Sequence, residues 1–171
     1  MKKFLCVVFV FVFVCLSGCS GGNAVKVENN QFVMTPQQLI DALDARIKEQ
    51  EAYPLLPDFH QIDNGDMVTY VSPFSEGAGY RINSDKETGK IIDVDLWTDL
   101  SLISADAMGA SGYYMGITSR ILNPNSKTDF AALETSQIVQ NDVRSMSDGN
   151  VFYVMVVEDG MVRIRMYPLG K

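Results

Sequence analysis

The only histidine of this 171-residue chain, His60, is the first place to look for catalysis, because imidazole titrates near neutral pH. Asp58 and Asp63 lie close to it in the sequence, and a carboxylate beside a histidine can orient the ring as a general base for a serine. The globular part of the chain has no Gly-x-Ser-x-Gly segment to supply such a serine. We therefore interpret His60 as a solvated residue in a loop or at the end of a strand.

A second candidate site is the segment Asp63-Asn64-Gly65-Asp66, which has the oxygen-bearing side chains with which calcium-binding loops begin. The spacing of such loops requires a terminal glutamate at the position that Phe74 occupies here. Phenylalanine has no oxygen to offer a cation. The segment is therefore interpreted as a hairpin turn, and no metal or other non-covalent cofactor is predicted.

Alternation in two predicted strands places charged and aromatic side chains on one face of a sheet. In the segment 91–97, Ile92, Val94 and Leu96 point one way, opposite Ile91, Asp93, Asp95 and Trp97. In the last strand, Val162, Ile164 and Met166 share a face, opposite Met161, Arg163, Arg165 and Tyr167. If helices cover the aliphatic faces, the outer face displays Asp93, Asp95, Trp97, Arg163, Arg165 and Tyr167.

Two interpretations of this outer face remain open. It can be a solvated surface with cross-strand ion pairs, each worth about 0.2–1 kcal/mol. It can also be a protein-binding surface, because Trp, Tyr and Arg are enriched at interfaces and at their energetic centres.

The first 18 residues have the composition of an export signal. Lys2 and Lys3 precede an apolar run of 13 residues from Phe4 to Leu16, and small residues follow it. A helix that crosses a bilayer needs about 20 apolar residues, so this run is too short to span the membrane. We predict a signal peptide over residues 1–18 that is removed after export.

The tetrapeptide Leu16-Ser17-Gly18-Cys19 resembles the lipobox of bacterial lipoproteins. The resemblance implies cleavage before Cys19, a diacylglycerol on its sulfur and an N-acyl chain on the new terminus, which together anchor a protein firmly to a membrane. In this family an aspartate after the cysteine favours retention at the inner membrane. Ser20 stands there, so the resemblance implies the cell envelope and, in an organism with an outer membrane, its periplasmic face.

The charge of the chain limits the classes of partner, and its cysteine content limits the chemistry that is expected. Loss of residues 1–18 would leave 12 lysines and arginines against 21 aspartates and glutamates, a formal net charge of −9 without a basic cluster. Nucleic acid is therefore not an expected partner. Cys6 and Cys15 leave with the signal and Cys19 carries lipid, so disulfides, Cys-based metal sites and thiol chemistry are excluded.

The elements that must position these residues begin with a strongly marked helix. Thr35 suits the N-cap, Pro36 the first helical position, and Gln38 completes a capping box, which predicts a helix over about 36–51. The other predicted elements are strands at 67–71, 78–83 and 90–98 with a short one near 59–62, helices over 100–122 and 129–146, and a hairpin of 151–157 and 161–167 turning at Asp159-Gly160.

This order predicts an α+β fold: one domain with an antiparallel sheet of about five strands and helices packed on one face, in the order helix, three strands, helices, two strands. The predicted divisions are the signal peptide at 1–18, a lipidated N-terminus and flexible tether at 19–31, and a globular domain at 32–171. The element order and the Met34-Thr35-Pro36 helix start resemble small bacterial envelope lipoproteins that have no defined activity.

Three functional hypotheses follow. The leading one is a non-enzymatic, lipid-anchored envelope protein that binds another protein, as inhibitor, immunity or assembly proteins do, or a cell-wall component. The alternative is a carrier of a small molecule or lipid, with a cavity lined by Met108, Tyr113, Met115 and Phe130. The last is a hydrolase that depends on His60.

Overall fold

A computed structural model describes residues 23–126 and 142–170. The predicted signal peptide, Cys19 and most of the segment 129–146 lie outside the described residues. The described residues form nine strands and two helices, which in chain order are β1 (Val27–Glu28), β2 (Gln31–Phe32), α1 (Pro36–Gln50), β3 (His60–Asn64), β4 (Met67–Ser75), β5 (Ala78–Asp85), β6 (Ile91–Asp99), α2 (Ala105–Leu122), β7 (Asp142–Asp148), β8 (Val151–Glu158) and β9 (Met161–Pro168).

The nine strands belong to one antiparallel sheet. Seven of them follow one another in the order β3-β4-β5-β6-β9-β8-β7, which places β6 and β9 near the middle. Strand β2 pairs with β6 where Phe32 meets Ile91, and β1 pairs with β2. Both helices contact strand β5, the second helix also contacts β6, and the core lies between the helices and the sheet.

The fold is α+β, but the prediction of about five strands in the order helix, three strands, helices, two strands was wrong. Strands β1 and β2, which precede the first helix, were not predicted, whereas the short strand predicted near 59–62 is present as β3 and pairs with β4. Strand β7 replaces the end of the helix predicted over 129–146. Its residues pair with β8 from Asp142 opposite Val157 to Asp148 opposite Val151, and this ladder outweighs a weak local helical spacing.

Helix α1 begins as predicted. The Thr35 hydroxyl accepts a hydrogen bond from the Gln38 backbone N–H (3.3 Å), and the Gln38 side chain accepts one from the Thr35 N–H (2.9 Å). Leu39, Leu43 and Ile47 follow at helical spacing and are buried against the sheet. The helix therefore forms one wall of the core.

Helix α2 begins at Ala105, later than the predicted start at 100, because the Ser104 hydroxyl caps it by accepting from the Ala107 N–H (3.2 Å). It ends at Leu122, as predicted. Neither described helix combines the length and apolar character that crossing a bilayer requires.

The N-terminal segment belongs to the fold. The Val25 N–H donates to the Leu122 carbonyl (2.9 Å), and the Asn150 side-chain amide donates to the Val25 carbonyl. Val25 and Val27 pack against the core, and Phe32 is fully buried. The flexible tether predicted at 19–31 therefore overlaps the folded domain from Val25 onward.

The alternation predicted for the central strands holds in β9 but fails once in β6. Asn83 pairs with Asp93, whereas the next residue, Ser84, pairs with Ile91. Ile92 is thus an additional residue, a β-bulge that reverses the side-chain direction. Ile91, predicted to face outward, lies in the core with no exposed surface.

Candidate functional site

The sheet face away from the helices carries a group of charged and aromatic side chains at its centre. They come from the neighbouring strands β5, β6 and β9, and the strand pairing brings them together. Arg81 and Arg165 are the cross-strand partners of Asp95, and Arg163 is the partner of Trp97. We call the following residues the outer-face cluster: Arg81, Asp93, Asp95, Trp97, Arg163, Arg165 and Tyr167.

Asp95 is the centre of the outer-face cluster, although only 1% of its side chain is exposed. One of its oxygens, Oδ2, accepts a hydrogen bond from Arg163 Nη2. Arg81 Nη1 lies 3.7 Å and Arg165 Nε lies 3.9 Å from the same oxygen. The arginines cover the carboxylate while 29–37% of each of their side chains stays exposed.

The outer-face cluster and the whole chain have formal charges of opposite sign. Burying a carboxylate costs several kcal/mol of solvation, and nearby positive charges offset that cost. Three arginines and two aspartates give the outer-face cluster a formal charge of +1, on a chain whose net charge is −7. The cluster is therefore a positively charged patch on a protein with a negative net charge.

Arg81 is held mainly by charge and by an aromatic ring. Its guanidinium carbon lies 5.4 Å from the centre of the Trp97 ring, a cation–π distance. Its side chain makes no hydrogen bond within the part of the chain that the structure describes. Arg81 Nε, Arg163 Nε and Asp95 Oδ1 are buried there without a hydrogen-bond partner among the described residues. The cluster thus has unused hydrogen-bonding capacity.

A row of polar side chains joins the outer-face cluster to the sheet edge at β3. Asn64 Nδ2 donates to Thr69 Oγ1, Thr69 Oγ1 donates to Asn83 Oδ1, and Asn83 Nδ2 donates to Asp93 Oδ1, over distances of 2.8–2.9 Å. Desolvation raises the pKa of Asp93 above its ordinary value, and the charge of Asp95 adds to the rise. The bond from Asn83 acts in the opposite direction.

Tyr167 supports the third arginine. Arg165 Nη1 donates to the Tyr167 hydroxyl oxygen at 3.2 Å, and this bond is the largest cause that raises the pKa of Arg165. The guanidinium therefore remains charged, and its other amino group is left for further contacts.

No protein-family model, curated protein or solved structure matches this chain.

All six residues predicted for the outer face lie there and meet in one cluster. One expectation was wrong, because Asp95 is not displayed but buried beneath the arginines. Arg81 and Asn83 on β5 also lie on this face and were not predicted. Alternation with the inward-facing Tyr80 and Ile82 would have identified both.

His60 lies apart from this cluster, exposed on strand β3 and paired with Val71. Asp63 lies three residues after His60 on the same strand, and side chains separated by an odd number of residues point to opposite faces of a sheet. Its Oδ2 accepts from Lys86 Nζ at 2.6 Å. The structure therefore does not bring Asp63 and His60 together as a relay.

The segment at 63–66 contains the predicted hairpin turn between β3 and β4, with Gly65 at a φ of +74°. Among the described residues, no three His, Cys, Asp or Glu side chains converge to hold a metal ion. The absence of a cofactor stays a prediction.

A groove of about 480 Å³ lies between α1, the segment 56–59 and β4, with Asp41, Asp44 and Asp58 along its lining. The cavity predicted for a carrier has a different lining. Tyr113 packs against Tyr53, Met115 is buried in the core, and Phe130 lies outside the described residues. Neither Tyr113 nor Met115 lines this groove.

Proposed function

We propose that this is a lipid-anchored envelope protein that binds another protein through the outer-face cluster. The observation that carries the binding proposal is the arrangement of Arg81, Arg163 and Arg165 around the buried Asp95, beside Trp97. Arginine and tryptophan are the residues most often found at the energetic centres of protein interfaces.

The free-energy cost of burying Asp95 favours a functional role for the outer-face cluster over a plain solvated surface. An ordinary cross-strand ion pair keeps both charges in water and contributes about 0.2–1 kcal/mol. Here Asp95 is almost fully buried with Oδ1 lacking a partner among the described residues, which costs on the order of 1–3 kcal/mol. Local arrangements that cost stability in this way are expected at functional sites.

The chemistry of the outer-face cluster supports binding in preference to catalysis. Three guanidinium groups cover Asp95 and leave only 1% of its side chain exposed, so a substrate cannot reach its carboxylate. The exposed groups are guanidiniums and aromatic rings, which recognise partners through hydrogen bonds and stacking. A non-enzymatic inhibitor-, immunity- or assembly-like role fits this composition.

Anchoring is proposed from the lipobox-like residues Leu16 to Cys19. Val25 is the first described residue whose backbone is hydrogen-bonded to the domain, and five residues separate it from Cys19 in the sequence. Even a fully extended chain of this length spans at most about 20 Å. A lipid on Cys19 would hold the domain close to the bilayer, where a membrane-associated partner is reached without long diffusion.

Affinity capture from solubilised envelopes tests the binding proposal. We expect wild-type protein to retain a partner that the double variant Trp97→Ala/Arg165→Ala loses. Arg46→Ala on α1 is the control, because it removes an exposed arginine away from the outer face. Circular dichroism verifies that each variant is folded. Equal recovery by the wild type and the double variant, or no partner with the wild type, would contradict the proposal.

A further inference from the structure

We infer that the outer-face cluster recognises carboxylate groups, so that its protein partner presents an acidic segment there. The inference rests on the proposed function for the existence of a partner and adds the chemistry of recognition. It follows from the unused donors of three arginines, from the residue that fixes them and from the charge of the surrounding surface.

The three arginines of the outer-face cluster have hydrogen-bond donors that the described residues do not use. Arg81 makes no side-chain hydrogen bond within the described part of the chain. Arg163 donates to Asp95 and Arg165 to Tyr167, and each has amino groups left over. About a third of each of these side chains is exposed. A guanidinium presents parallel N–H groups that match the two oxygens of a carboxylate, which makes it the preferred side chain for such ligands.

Asp95 makes this arrangement possible. Arginines brought together without a counter-charge would repel one another and turn apart. The buried carboxylate attracts Arg81, Arg163 and Arg165 to within 4 Å of one oxygen. Because its own charge lies beneath them, an approaching anion meets guanidinium groups first. Asp95 is thus a positioning residue that presents the donors.

Trp97 fixes the direction of one donor. The Arg81 guanidinium carbon lies over the Trp97 ring, 5.4 Å from its centre, and this cation–π contact uses none of the guanidinium N–H groups. The ring also provides an apolar contact beside the charged site. A carboxylate on a polypeptide, with methylene groups next to it, suits this combination.

The surrounding charge selects the same class of partner. The chain is negative overall, so an acidic segment is repelled elsewhere and attracted at the outer-face cluster. A polyphosphate or nucleic acid needs many phosphate contacts, and a cluster with a formal charge of +1 offers few. An acidic protein segment needs only one or two carboxylates to be seated.

The only tryptophan of the chain, Trp97, makes the test direct, because its fluorescence reports on the outer-face cluster alone. Protein produced from the full-length chain is titrated with hexaglutamate, a peptide without aromatic residues. We expect a saturable change in emission that weakens as salt is raised and that hexaglutamine does not produce. The same change with hexaglutamine, or no saturation with hexaglutamate, would overturn the inference.

Variants assign the effect to the arginines. We expect Arg81→Gln/Arg165→Gln to weaken hexaglutamate binding at least tenfold, whereas Arg46→Gln leaves it unchanged. Thermal melts monitor folding, and the single variants Arg81→Gln and Arg165→Gln provide the comparison if the double variant is unstable. Unaltered binding by the folded variants would contradict the inference. Inorganic phosphate that displaces hexaglutamate at matched ionic strength and equal concentration would also contradict it, because the site would then select phosphate.

The outcomes separate this inference from the proposed function. If binding of a captured partner depends on Trp97 but not on the Arg→Gln changes or on salt, the protein-binding function is supported and recognition of carboxylates is contradicted. Saturable hexaglutamate binding, combined with capture experiments that recover no protein, supports the carboxylate chemistry and contradicts the protein-binding function.

Discussion

Gly79 and Trp97 are cross-strand partners on β5 and β6, and the indole ring occupies the space where a side chain at position 79 would lie. A β-carbon at 79 would overlap atoms of the six-membered ring. The glycine therefore fixes the tryptophan against the sheet, within cation–π distance of Arg81. The geometry of the outer-face cluster depends on a residue that contributes no chemistry itself.

We predict that Gly79→Ala displaces the Trp97 ring. The free energy of unfolding should fall by about 1–3 kcal/mol, as for other overpacked sites, and the tryptophan emission should shift to the red as the ring becomes more exposed. Gly116→Ala in α2 is the matched control, because a β-carbon there meets nothing within 4 Å. It should raise stability by up to about 1 kcal/mol. Urea unfolding with fluorescence detection measures both, and an unchanged emission spectrum for Gly79→Ala would refute the packing argument.

Asp95→Asn should destabilise the protein although it changes few atoms. The neutral amide no longer offsets the charges of Arg81, Arg163 and Arg165, which then repel one another. Breaking a fully buried pair costs about 3–5 kcal/mol, and the partial exposure of the arginines reduces the expected loss to about 2–3 kcal/mol. Chemical denaturation measures the loss. Asp66→Asn, in an exposed turn, should leave the free energy of unfolding unchanged. Equal stabilities for the two variants would show that the arginines do not need the Asp95 charge.

Asp93 and Asp63 should respond to pH in opposite directions. Desolvation raises the pKa of Asp93, so the folded state binds its proton more tightly, and its contribution to stability falls as pH rises through the window between the unfolded and folded pKa values. The Lys86 bond lowers the pKa of Asp63, so its contribution is lost as pH falls through the folded pKa.

Asp93→Asn should therefore stabilise the protein at neutral pH, with a gain that shrinks in acid. Asp63→Asn should do the reverse, destabilising the protein at neutral pH and having little effect in acid. Thermal unfolding across the pH range measures both differences. The same pH slope for the two variants would contradict the assigned causes.

Local signals in the sequence account for the parts of the fold that were predicted. The cap of α1 uses Thr35 and Gln38, three residues apart, and the last hairpin turns at Asp159-Gly160, where both residues have positive φ. Each signal is contained within a few residues and needs no distant contact. Strong local preferences of this kind are readable without knowledge of the tertiary structure.

The features that were not predicted depend on distant pairing. The residues of β7 form a strand because they pair with β8. The bulge at Ile92 exists because the register between β5 and β6 shifts by one residue. The burial of Asp95 depends on Arg81 from a strand that sequence analysis had not connected to the outer-face cluster. Alternation within one strand identifies a face, but it does not give the neighbours on that face.

Tyr80 and Thr118 should be energetically coupled in the core. Their hydroxyl oxygens lie 2.7 Å apart, and Thr118 also donates to the Tyr114 carbonyl, so the proton of this pair comes from Tyr80. Thr118→Val would leave the Tyr80 hydroxyl buried without an acceptor, at a cost of about 1–3 kcal/mol. Adding Tyr80→Phe should recover part of this loss. A double-mutant cycle in urea measures the coupling, and simple additivity would contradict it.

Cys19→Ala should release the protein from the membrane without changing its fold, because the described core is built from residues 25 onward. Wild-type protein should stay with membranes through a high-salt wash, and its intact mass should match residues 19–171 with acyl groups attached. Cys15→Ala, inside the predicted signal, should leave both properties unchanged. Membrane fractionation, mass spectrometry and thermal melts distinguish the three proteins. A wild-type mass that retains residues 1–18, or that has no fatty adduct, would remove the anchoring proposal and leave the chemistry of the outer-face cluster to be tested separately.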